Sequence, residues 1–366
     1  MKILQVIPQL SSGGAERFVV DLCNELSQRH EVTLMVLHPL NENTNFYLPQ
    51  VAPNVRVVPM NKKSGMDVVL YLKIFKFIRK EQPLIVHTHL RAILYILLSV
   101  LLCRFPKYFH TIHSDAAKEA GGKVGTFIRR LLFKNHAVVP VTISVESQQS
   151  FRDFYGIENV AKIPNGRNIS DNILVSDEVL SEVNSYKKGE TTRVLVCLAR
   201  FEPVKRQDLL ARVANRLSKE GFDFILLYIG RLSDVALVSR TTQEKPDCAH
   251  LLGERENPLE YLKMADAYCL FSEYEGLPIS LIEALGVGCI PVCTPVGGIV
   301  NVLKDGKNGF LAGDITEQSC YEALKRFLLL SDSEVSEMSC EARNSYKPYT
   351  MVECADNYVS LFKSYK

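Results

Sequence analysis

Apolar and polar positions follow two periods along the chain. KILQVIP, EVTLMVLH, VRVVPM, LIVHTH, YFHTIH and AVVPVT are short, nearly continuous apolar runs rich in β-branched residues. That is the signature of strands buried on both faces. Between most of them lie stretches of helical period. In AERFVVDLCNELSQRH, for example, Phe18, Val19, Leu22, Cys23 and Leu26 form one apolar stripe. The rhythm breaks at 165–190, where IPNGRNISDN is turn chemistry and SDEVLSEVNSYKKGE is polar and charged. It then restarts with RVLVCLAR, a helix from about 206, FILLYIG, AHLLG, AYCLFSE, a helix from about 279, and CIPVCT. Strands alternating with helices make parallel sheets covered on both faces. The pattern predicts an α/β protein of two doubly wound, Rossmann-like domains: an N-terminal one over 1–165 and a C-terminal one over 166–345. A closing helix in 346–366 is expected to pack back toward the first domain. Two such domains are expected to face a central cleft, with ligands where strand ends meet helix starts.

Length agrees, since 366 residues exceed one ordinary core. A hydrophobic fraction of 47% and a charged fraction of 23% are those of a globular protein. The longest apolar stretch, AILYILLSVLLC at 92–103, falls short of the roughly 20 residues a bilayer span needs, so it reads as a buried helix. Met1-Lys2-ILQVIP lacks a signal-peptide core, which points to the cytoplasm. The ten cysteines form no CxxC pair and no zinc spacing. Cys289 and Cys293 read as small buried side chains, and His87 and His89 of VHTH as a strand end without a third metal ligand.

Charge is uneven. Up to Asn165 there are 20 Lys and Arg against 12 Asp and Glu; beyond it, 23 against 29. A basic N-terminal half suggests an anionic neighbour. Residues 123–134 read as a helix with Val124, Phe127, Ile128, Leu131 and Leu132 on one face, and Lys123, Arg129, Arg130 and Lys134 around the rest. Lys73, Lys76, Arg79 and Lys80 add a second basic stretch. Two readings stand: apolar faces packed on the sheet with solvated cations, or reversible binding of this domain to the anionic inner face of a membrane. Nucleic acid is not an expected partner.

Three stations carry chemistry. In SSGGAERF (11–18) a Gly-Gly pair opens a helix, where backbone can approach an anion; it equally suits a plain tight turn. The spacing is not GxGxxG, which argues against a dinucleotide cofactor. In LARFEPVKRQDLL (198–210) Arg200 and Lys205 flank a loop after the first strand of the second domain. They suit a diphosphate, or are solvated loop charges. In SEYEGLPISLIEALGVGCIPVCTPVGG (272–298) Glu275 lies in a loop and Glu283 about one turn into a helix. Gly276, Leu277 and Pro278 begin that helix, where N–H groups are free to donate. Paired carboxylates accept from vicinal hydroxyls of sugars. The helix dipole alone could explain Glu275, but not Glu283 inside an apolar helix.

E-G-L-P-x4-E, together with A-R-F-x-P-x-K, resembles glycosyltransferase family 4, retaining enzymes of GT-B fold that use nucleotide sugars. GGAER, HTIHS, IPNGRN, ADAYCLFSEYEGLP and TPVGGIVNVLKDGKNGF follow in the same order, so the resemblance spans nearly the whole chain. It implies that Arg200 and Lys205 hold the donor diphosphate and neutralise its departing charge. It implies that Glu283 binds the ribose, that Glu275 contacts the transferred sugar with help from backbone amides around Gly276, Leu277 and Pro278, and that Gly14 lets a loop close on the diphosphate. His113 would contact the sugar near the reacting carbon. The implied reaction moves a hexosyl or N-acetylhexosaminyl group from a UDP-sugar to a glycan or lipid-linked glycan, as in cell-surface polysaccharide assembly. No D-x-D occurs, so neither metal nor cofactor is expected. An epimerase of the same fold would lack the E-G-L-P signature, and a non-catalytic nucleotide-sugar-binding subunit would not need all four charged residues. The loop HSDAAKEAGGK departs from a readable pattern and leaves the acceptor open.

Overall fold

A computed structural model of the chain describes every residue except 42, 43, 66, 104, 171 and 366. The chain forms two compact units. The first comprises Met1–Asn168 with Tyr349–Lys366, the second Ile169–Pro348.

The first unit is built on a parallel seven-stranded sheet. Its strands are β1 (Lys2–Ile7), β2 (Glu31–Val36), β3 (Arg56–Pro59), β4 (Ile85–His89), β5 (Lys107–Ile112), β6 (Val139–Thr142) and β7 (Ala161–Lys162), in the order β3-β2-β1-β4-β5-β6-β7. The order reverses between β1 and β4, so their carboxyl ends open beside each other, the usual ligand position in such sheets. Helix α1 (Gly14–Ser27) follows β1, α2 (Val68–Glu81) precedes β4, and α3 (Leu97–Leu102), α4 (Ala116–Ala120) and α5 (Gly122–Lys134) follow in turn. Right-handed crossovers put α1 on one face and α2 to α5 on the other. The stripe Phe18, Val19, Leu22, Cys23 and Leu26 is fully buried. Each such side chain contributes roughly 1.5–3 kcal/mol on burial, which holds a 14-residue helix that would be marginal alone. The C-terminal helix Met351–Ser364 packs beside α1. Its Tyr358 hydroxyl lies 2.8 Å from Thr111 Oγ1 in the sheet.

The second unit carries β8 (Arg193–Leu198), β9 (Phe224–Ile229), β10 (Ala249–Gly253), β11 (Ala267–Leu270), β12 (Ile290–Cys293) and β13 (Phe310–Leu311), all parallel in the order β10-β9-β8-β11-β12-β13. Here the order reverses between β8 and β11.

Two expectations are corrected. The stretch 92–103 is not one buried helix. A 3₁₀ segment, Leu90–Ile96, buries Ala92, Ile93 and Ile96, after which α3 leaves Leu101 71% and Leu102 61% exposed. Among the described residues no helix is long and apolar enough to cross a membrane. Arg129 is not a solvated cation: it is 1% exposed, 3.7 Å from Glu119 Oε1, and donates to the Leu90 carbonyl at 3.1 Å. The buried face of α5 is Gly125, Arg129, Leu132 and Phe133, while Val124, Phe127 and Leu131 point to solvent.

Candidate active site

In the second unit, the loop after β8 carries Arg200 and closes as a 3₁₀ turn, Pro203–Lys205. Two buried anchors shape it: Phe201, fully inside the core, and Gln207, whose Nε2 donates to the Arg200 carbonyl at 2.9 Å. The loop after β11 is tied to it, since the Glu273 amide donates to the Val204 carbonyl at 2.9 Å. This brings Lys205 onto Glu275. Lys205 Nζ donates to Glu275 Oε1 at 2.7 Å and to Oε2 at 2.8 Å, and Ser272 Oγ donates to Oε1 at 2.6 Å. The Glu275 side chain is only 7% exposed. A carboxylate so buried needs such partners. Arg200 stands apart from this pair. Its side chain is 45% exposed, and its Nη2 lies 3.2 Å from Glu202 Oε1.

The loop at Pro295–Gly298 lies on the E-G-L-P turn. The Gly298 amide donates to the Gly276 carbonyl at 2.5 Å. Gly297 has φ +52°, and a Cβ there would sit 1.8 Å from the Glu275 carbonyl oxygen, so only glycine fits. Thr294 Oγ1 donates to the Ser272 carbonyl at 2.7 Å. Leu277 is buried, Pro278 directly precedes the helix Ile279–Val287, and Glu283 is buried within it. The first-turn N–H groups of that helix are available at its start.

In the first unit, Gly13 is the glycine whose Cβ would collide, 2.3 Å from Glu16 Oε2, whereas Gly14 is the exposed first residue of α1. His113 follows β5. Its Nε2 lies 3.0 Å from His89 Nδ1, and His89 Nε2 lies 2.9 Å from Gln5 Oε1. The backbone amide of His113 donates to Glu119 Oε2 at 2.7 Å, and Glu119 Oε1 lies 3.5 Å from His110 Nε2. Burial pushes His113 down to about 4 and holds His87 and His89 well below the ordinary imidazole value. Burial pushes the Glu119 carboxyl up, but His110, His113 and Arg129 outweigh it and leave it below its usual value.

The Glycosyl transferases group 1 family model matches residues 181–345, and the Glycosyltransferase Family 4 model matches 12–171. The chain belongs to glycosyltransferase family 4. The enzyme is 25% identical to the N-acetyl-alpha-D-glucosaminyl L-malate synthase of Bacillus anthracis, over 96% of this chain and 94% of that one. It is 24% identical, over 88% of each chain, to an N-acetylgalactosaminyltransferase of Campylobacter jejuni whose name specifies an N-acetylgalactosamine-N,N'-diacetylbacillosaminyl-diphospho-undecaprenol acceptor. Among solved structures, Anabaena Alr3699/HepE in complex with UDP and glucose superposes with a TM-score of 0.82 at 17% identity, covering 100% of both chains. The two Rossmann-like units are thus those of a GT-B glycosyltransferase.

Of the predicted site residues, the structure gathers Lys205, Glu275, Gly276, Leu277 and Pro278 in one pair of loops, with Arg200 on the same loop as Lys205. Glu283 sits in the adjoining helix. Gln5, Glu119, Ser272 and Gly297 escaped sequence reasoning, and His89 is legible there only as a strand end. TPVGG was visible as a motif, but not the steric need of its first glycine. Glu119 stands in the unread loop HSDAAKEAGGK, six residues from the amide it holds.

Proposed function

We propose that this glycosyltransferase moves a hexosyl or N-acetylhexosaminyl group from a UDP-sugar to a glycan or lipid-linked glycan acceptor, with retention at the anomeric carbon. The observation that carries the reading is the Lys205–Glu275 pair, set beside the Arg200 loop at the reversal of the second unit's sheet. A dication-capable loop at strand carboxyl ends suits a diphosphate. Arg200 and Lys205 stabilise the charge that develops as the diphosphate leaves. Glu283 accepts from the ribose hydroxyls. Glu275, already held by Ser272 and Lys205, accepts from hydroxyls of the transferred sugar, and the backbone N–H groups of Gly276 and Leu277, just before Pro278, donate. Gly14 leaves room for backbone to approach the diphosphate, and His113 takes a hydroxyl of the sugar. Two cations where other glycosyltransferases use a D-x-D clamp make the reaction independent of metal and of any cofactor. Incubation with a panel of UDP-sugars and a lipid-linked glycan extract, with nucleotide release followed with and without EDTA, tests this. One donor should turn over equally in both conditions; loss of activity with EDTA, restored by manganese, overturns the metal-free part.

Undecaprenol-linked substrates of relatives, together with the surface of the first unit, support action at the inner face of a membrane. Val124 (73%), Phe127 (63%) and Leu131 (43%) form an exposed stripe on α5 beside exposed Lys123 and Lys134. On α2, Val68 (66%), Val69 (58%) and Leu72 (50%) stand out beside Lys73 and Lys76. Anionic lipid attracts each basic residue by about 1 kcal/mol near the surface, and the apolar stripe adds insertion. The cation at 129 takes no part. Co-sedimentation with anionic vesicles at low salt should be strong for the parent and weak for F127E/K134E; equal binding of the two overturns this surface.

A further inference from the structure

Gln5 within β1, His89 at the end of β4 and His113 just after β5 form a line of hydrogen bonds, and its chemistry determines which nitrogen of His113 carries the proton. The distances are 2.9 Å from Gln5 Oε1 to His89 Nε2 and 3.0 Å from His89 Nδ1 to His113 Nε2. A carbonyl oxygen only accepts, so the proton of His89 is on Nε2. His89 is fully buried and neutral at neutral pH, which leaves its Nδ1 a bare acceptor. His113 Nε2 must then donate. A neutral imidazole has one N–H, so His113 Nδ1 is a lone pair, and among the described residues nothing pairs with it.

Two further contacts keep the ring in place. Phe18 meets it edge-on, with centroids 5.5 Å apart, and Glu119 fixes its backbone amide at 2.7 Å. Only rotation of the Gln5 amide would reverse the line. Gln5 Nε2 and His87 Nδ1 are both buried without a partner, and β1 pairs with β4 so that Gln5 lies opposite His87. His87 Nε2 lies 2.8 Å from Thr111 Oγ1; where it donates there, His87 Nδ1 is a bare acceptor on the strand beside Gln5. In that tautomer of His87, rotation of the Gln5 amide would set two acceptors on neighbouring strands.

We infer that Gln5 and His89 are positioning residues that hold His113 as its Nε2–H tautomer, so that Nδ1 accepts a hydrogen bond from a hydroxyl of the transferred sugar. The inference rests on the proposed sugar-facing role of His113. The tautomer, however, can be read without substrate. An acceptor there selects a substrate group that carries a proton and disfavours an ionised carboxylate at the same place, so a neutral sugar fits and a uronate does not.

The test uses the full chain labelled with ¹⁵N-histidine. Long-range ¹H–¹⁵N correlation at neutral pH identifies His113 by its loss in His113→Asn. The protonated nitrogen should be Nε2. Gln5→Met, which keeps length but removes the acceptor, should mix or reverse the tautomer and lower kcat about tenfold, the value of one lost hydrogen bond of ~1.4 kcal/mol, while UDP affinity is unchanged. His89→Asn, whose Oδ1 falls near the place of Nδ1, should keep the His113 tautomer and retain more turnover than His89→Leu. A parent protein with the proton on Nδ1, or a His113 tautomer indifferent to Gln5→Met, overturns the inference. A tautomer that shifts as expected while kcat does not move overturns the role of His113 at the sugar and leaves the positioning intact.

Discussion

Glu275→Gln separates the two duties that converge on Lys205. In the free protein Lys205 spends two hydrogen bonds, at 2.7 and 2.8 Å, on the Glu275 carboxylate. An incoming diphosphate must share that ammonium and also tolerate the carboxylate. Two unit charges about 6 Å apart interact by roughly 3 kcal/mol at an effective dielectric constant near 20. Rearrangement and the polar glutamine offset much of this, leaving about 1 kcal/mol, or roughly fivefold in affinity. UDP, which has no sugar for Glu275 to contact, should therefore bind Glu275→Gln about fivefold more tightly than the parent. Turnover of the intact donor should fall on the order of 10²-fold, because a transition-state contact is lost. Lys205→Ala should do the opposite to UDP, weakening it by about 1.5–3 kcal/mol, the worth of a hydrogen bond to a charged group. Titration calorimetry with UDP on the parent, each variant and the double variant reads all four corners. If Glu275→Gln weakens UDP as much as Lys205→Ala does, Glu275 serves to hold Lys205, and its assignment to the sugar is refuted.

Glu119→Ala strands the buried Arg129 and should destabilise the protein by about 3–5 kcal/mol, with Arg129→Leu added in the same chain restoring part of it; thermal melts of the three proteins check this. Because burial keeps His87, His89, His110 and His113 below the unfolded imidazole value, the unfolded chain takes up protons first, so stability should be full above about pH 6.5 and fall toward pH 4. The depressed Glu119 acts in the same direction at lower pH, and a urea midpoint at pH 5 no lower than at pH 7.5 would contradict the assignment. Glu283→Ala should lose most turnover with an unchanged melting temperature, and Arg200→Ala should lose on the order of 10²-fold; initial rates of nucleotide release measure both.

Legibility in the sequence followed the range of the interaction. The strand runs of both units announced themselves because each is buried on both faces. By contrast β7 and β13, with two residues each, are shorter than any period. The Glu275 and Glu283 pair could be read because its spacing is local. The Lys205–Glu275 bond, between residues 70 apart, could not be derived from either motif alone. Helical periodicity put Arg129 on a polar flank of α5, and no period can show that Glu119 waits one helix earlier to bury it. Gln5 and His89 stand 84 residues apart in the chain, and their pairing arises only from the sheet order that puts β1 beside β4.

The most direct test of the account is product formation. Each UDP-sugar is offered with a lipid-linked glycan extract to the parent protein and to the Arg200→Ala/Lys205→Ala double variant, and lipid products are weighed by mass spectrometry beside UDP release. The parent should add one sugar to a lipid-linked glycan from one donor, with an equal yield of UDP, and the double variant should add none. UDP release or donor conversion without a glycosylated product, or a double variant as active as the parent, would contradict it.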